Sequence, residues 1–98
     1  MTKNADETVS GAESVAWHWL RPHHQRDALW VVTTSLDLEE VGAALARDDA
    51  TAVRVWLADG SLRKPDKEQL DRWESDPLHP LSMLIVQPFV LVQERTLN

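Results

Sequence analysis

Apolar residues near the start of the chain recur at helical spacing. Ala12, Val15, Ala16, Trp19 and Leu20 share one side of a helix over residues 11–20, the i, i+3, i+4 pattern that a 3.6-residue turn stacks on one face. Ser10 and Glu13 have the spacing of a capping box, and Pro22 supplies a stop. That register puts Trp17 off the stripe, about 100° round the helix from Ala16, facing a second surface. The pattern then changes period. "ALWVVTT", 28–34, is short, β-branched and apolar throughout, which predicts a buried strand.

Helical spacing returns in Leu38, Val41 and Leu45, predicting a helix over 37–47 that Asp37 opens with Glu40 as its capping partner. Gly42 costs that helix about 1 kcal/mol against Ala unless a neighbour packs close to it. Asp48 and Asp49 break the pattern and cap a helix over 50–59, with Val53, Trp56 and Leu57 as its stripe and Gly60 as a left-handed stop. After the short extended piece "SLRK", Pro65 and Asp66 open a helix over 66–74, with Gln69 in the capping-box position and Leu70 and Trp73 facing inward. The last run, 82–93, reads as one long strand, in which Pro88 marks a bulge or an edge-facing position because it cannot donate to a ladder. The elements together predict an α+β fold: a two- or three-stranded sheet, strands 28–34 and 82–93 among them, packed by four helices. Residues 9–95 form the domain, and the polar residues 1–8 a loose tail.

Composition adds two restrictions. The 98 residues contain no Cys, which excludes disulfides, thiolate metal sites and a cysteine nucleophile. "LIVQPFVLV" is too short to span a bilayer and the N-terminus lacks a basic flank and an apolar stretch, so the cytoplasm is the expected compartment.

The blocks "LRPHHQRDALWVV", "LDLEEVGAALARDD", "VWLADGSLRKP" and "LIVQPFVLVQE" resemble, in this order over residues 16–94, the bacterial domain-of-unknown-function 2288 family. The resemblance implies a small soluble bacterial protein. It carries no activity and no catalytic residues with it.

Charge bears on the candidate functions. Residues 37–64 also loosely resemble the helix-turn-helix of small winged regulators, with Arg54, Arg63 and Lys64 as the cations that would meet nucleic acid. The net charge of −6 and the carboxylates Asp48 and Asp49 at the start of the second helix oppose a polyanion, so nucleic acid is not the expected partner. His18, His23, His24 and His79 lack the spacing of metal ligands, and no metal or other cofactor is expected. His23, Arg26 and Asp27, just before the first strand, form a polar cluster that could hold a small anion or orient a proton transfer. No nucleophile–base pair, glycine-rich phosphate loop or carboxylate dyad is legible, so catalysis is not the leading reading. Trp17, Pro88 and Phe89 are the candidate interface residues, the latter two on a strand whose open edge would pair with a second copy. The expectation is a non-catalytic, cytoplasmic protein-binding module, with a homodimer as one form of it.

Overall fold

The computed structural model describes residues 13–94. The C-terminal apolar run folds back on itself. Strand β4 (Pro80–Val86) and strand β5 (Phe89–Glu94) pair antiparallel from Leu81↔Glu94 to Val86↔Phe89. Gln87 and Pro88, joined by a cis peptide bond, form the turn between them. Pro88 therefore sits where no ladder donor is needed, so a hairpin replaces the single bulged strand expected over 82–93.

On its other side β5 runs parallel to β2 (Leu29–Val32), with Trp30 opposite Leu91. The outer side of β4 takes β1 (Glu13–Ala16), and β2 takes the two-residue β3 (Leu62–Arg63). The order β1-β4-β5-β2-β3 makes a five-stranded mixed sheet where two or three strands were expected. The two edge strands are too short for a period of 2 to be read from their sequences. β4 and β5 lie inside the sheet, β4 flanked by β1 over Pro80–Met83 and β5 by β2 over Val90–Val92, so neither is the edge strand expected for 82–93.

Four helices cover the sheet, two on each face. Helix α1 spans Trp17–Gln25, so the register expected for 11–20 is wrong: residues 13–16 are strand, and the tail 1–8 and residues 9–12 lie outside the described part. Trp17 and Leu20, three residues apart, turn to the sheet and are fully buried. Trp19, two residues and about 200° round from Trp17, is 67% exposed. Trp17 is thus core, and Trp19 surface, the reverse of the expected assignment. Pro22 does not end the helix. It forgoes one amide donor, while the carbonyls of Pro22 and His23 receive the N–H groups of Arg26 and Ala28.

Helix α2 spans Leu38–Ala46, α3 Ala50–Asp59 and α4 Lys67–Glu74, each within a residue of its expected bounds. Asp66 and Gln69 close the expected capping box on α4. Asp37 caps α2 through the Glu39 amide rather than in a box with Glu40. Gly60 ends α3 at φ 83°, where a Cβ is disfavoured.

Alternation along the strands separates two cores. Leu29, Val31, Leu81, Val90 and Val92 meet Trp17, Leu20 and Trp73 beneath α1 and α4. Val32, Leu62, Leu84, Val86 and Leu91 meet Leu38 and Val41 of α2, with Val53 and Trp56 of α3 packed at the margin. The first core closes through its indoles. Trp17 Nε1 donates to Glu74 at 2.9 Å, and Glu74 is also gripped by both Nε and Nη2 of Arg21. Trp73 Nε1 donates to Glu94 at 3.2 Å, where Arg72 and Gln69 also converge. Two buried tryptophans thus have their polar atoms paired at the rim, and no buried side-chain polar atom among the described residues lacks a partner.

A candidate docking cleft

The second core is left open where α3 crosses it. No residue of α3 is buried: Val53 and Trp56 are half-buried, while Val55 and Leu57 are exposed. The cause is legible in "VRVWLA". Val53, Val55, Trp56 and Leu57 cover more of the helix circumference than one contact face can bury. The turn before α3 is tight, with Asp48 at φ 57° and Asp49 capping through the Ala52 amide, so the helix leaves α2 at a fixed place.

Between α3 and the sheet lies a cleft of about 270 Å³, lined by Trp30, Leu45, Val53, Leu57, Leu62 and Phe89. Each wall has its own element: Trp30 from β2, Leu62 from β3, Phe89 from the hairpin, Leu45 from α2. Phe89 follows Pro88 out of the turn and is 37% exposed; Leu57 is 45% exposed. A second hollow of about 370 Å³ adjoins it, sharing Leu45, Val53 and Phe89 and bounded by Asp48, Asp49 and Ala50. Trp30 is held from outside the cleft by Lys64, whose Nζ lies 4.7 Å from the ring centroid.

The candidate residues fall in different places. Phe89 lines the cleft and Pro88 is exposed in the turn beside it, whereas Trp17 is sealed inside the opposite core. The 23–27 cluster is divided between the end of α1 and the turn after it. Arg26 Nη2 and His23 Nδ1 are 2.8 Å apart, but the Asp27 carboxylate is paired with Lys64, just past the end of the neighbouring strand β3. That hydrogen bond, with the charge of Lys64, holds Asp27 below the ordinary carboxylate range. Of the cations that would serve nucleic acid, Lys64 is taken by Asp27, and Arg63 by Gln69 at 2.9 Å and Asp66 at 3.5 Å. Arg54 is exposed on α3 and lines neither hollow. Among the described residues no three His, Asp or Glu side chains are grouped to hold a metal ion, and no helix is long and apolar enough to cross a membrane.

What the cleft can do is bury apolar groups. Its lining offers no nucleophile, acid or base. Its apolar lobe is below the roughly 300–1,000 Å³ of pockets that enclose drug-sized ligands, and suits one or two side chains of a chain laid across it. Leu57 belongs by sequence to the buried stripe of α3, yet it stands exposed at the cleft. The excess of apolar residues around that helix was the available signal.

Comparison with known proteins agrees on the fold. A family described as "Protein of unknown function (DUF2288)" matches residues 5–94. The NMR solution structure of PA1075 from Pseudomonas aeruginosa superimposes with a TM-score of 0.80 at 35% sequence identity, over 99% of this chain and 93% of that one. No curated protein matches.

Proposed function

The chain belongs to the DUF2288 family, and within it we propose that the protein is a non-catalytic, cytoplasmic binding module that takes an apolar segment of another protein into the cleft beside α3. The observation that carries this reading is the apolar cleft itself, lined by Leu57 and Phe89, with Val55 also exposed on α3. Exposed apolar groups around a concavity are what a docking site presents, because water leaves them when the partner arrives. Two features make it a site for a chain rather than a loose patch. Its lining comes from five elements, β2, β3, β5, α2 and α3, and no residue of the α3 wall is buried.

A photo-reactive residue at position 57 tests this reading, with one at the exposed Ile85 on the opposite face as control. The expected result is a discrete protein adduct from position 57 that Phe89→Asp abolishes. Adducts from position 85 alone, or none from 57, would count against the cleft. An adduct of twice the chain mass would identify the partner as a second copy.

A further inference from the structure

Building on the docking cleft, we infer that its occupant is an apolar peptide segment bearing a cationic side chain at one end, with the cation over Asp48 and the apolar groups between Trp30 and Leu57. The trough has a direction. Its two hollows adjoin, sharing Leu45, Val53 and Phe89. One end is wholly apolar and the other is bounded by Asp48 and Asp49. Asp49 is occupied, since one oxygen caps Ala52 and the other meets Arg47 at 3.2 Å. Asp48 is exposed and has no ion pair among the described residues. Arg54, one residue on from Val53 and about 100° round the helix, is not in the lining and does not offset it. A segment that fills the apolar lobe therefore meets one uncompensated negative charge at a defined end.

The same charge disfavours the other occupants. A second copy carries −6 itself, and a symmetric contact of cleft on cleft would bring both sets of Asp48 and Asp49 into one interface. Nucleic acid and anionic lipid meet the same repulsion. A basic amphipathic segment gains on both counts: its apolar groups leave water, and its cation replaces solvent at Asp48.

Three synthetic amphipathic peptides test this, identical except for Lys, Gln or Glu at the end flanking the apolar residues. Each is titrated into the full-length ¹⁵N-labelled protein, following the amides of Asp48, Val53, Leu57 and Phe89. The Lys peptide is expected to bind roughly twofold to fivefold tighter than the Gln peptide, with the Glu peptide weakest, as one partly screened pair allows. Asp48→Asn, tolerated at a left-handed position, should remove the difference by weakening the Lys peptide to about the affinity of the Gln peptide, and about 1 M salt should do the same. Equal affinities with shifts at the cleft amides would overturn the cationic end and leave the cleft as the site. Shifts confined to other surfaces, or none with any peptide, would overturn the cleft as well. Cleft shifts that grow with protein concentration alone would assign the occupant to a second copy and overturn the inference.

Discussion

The two faces of the sheet are built from the same strands yet finish differently. Under α1 and α4, large indoles drop fully into the core and their N–H groups are paired at the margin by Glu74 and Glu94. Under α2 and α3, the aromatic side chains Trp30, Trp56 and Phe89 stop short of burial, and Trp30 and Phe89 line an opening. The contrast teaches that closure here depends on where a helix starts as much as on how apolar it is. α4 leaves β3 through three residues and a capping box that aims Trp73 at the sheet, whereas α3 leaves α2 through a turn that sets it at the edge.

The largest expected effect separates the faces by stability. Trp73→Ala should cost about 3–5 kcal/mol, as deletion of a buried aromatic does, and Trp56→Ala about 1–2 kcal/mol, in urea unfolding monitored by circular dichroism. Equal losses would mean that α3 is packed as firmly as α4. Next in size, Gly60→Ala should cost about 1–2 kcal/mol. Nothing lies within 4 Å of a Cβ built there, so the loss is conformational, and Gly60→Asn should recover much of it.

A pH titration sharpens the comparison from the sealed side. The Arg21 hydrogen bond, then that of Trp17, holds the Glu74 carboxyl below its ordinary value. A depressed folded-state pKa means this stabilisation is complete above the unfolded-state value and is lost as pH falls through the folded one. Glu74→Gln should therefore lower the melting temperature at neutral pH and flatten its decline below about pH 5. An unchanged acid limb would show that the Arg21–Glu74–Trp17 cluster does not form in solution. The smallest stability effect belongs to the cleft. Leu57→Asp should alter unfolding by no more than about 0.5 kcal/mol while weakening the binding of an amphipathic peptide followed at the Asp48, Val53 and Phe89 amides, and a larger loss of stability would contradict it.

Local signals carried most of the fold. Helices α2, α3 and α4 were legible because each has a polar cap, an apolar period and a break within about a dozen residues, and the β2 segment because its apolar run is too short for a helix. What failed was non-local. Val15 and Ala16 extend a helical period by coincidence, and only pairing with β4, 65 or so residues away, makes them strand. Pro88 was correctly read as foreign to a ladder, but sequence alone did not show that the ladder reverses there. Phe89 stands out in the sequence as a residue of an expected edge strand, whereas the structure exposes it beside the hairpin turn. The cleft as a whole was not legible, since its walls are separated by as many as 59 positions, between Trp30 and Phe89.

The decisive difference between the faces is that α3 is held to the sheet by half-buried side chains and so keeps the cleft accessible. Native-state amide hydrogen exchange measures that directly. The amides of Val53 to Leu57 should exchange through local opening at least about 2 kcal/mol easier than those of Leu91 in β5 and Leu70 to Trp73 in α4, which should open only with the whole fold. Protection of α3 equal to that of α4 would contradict it.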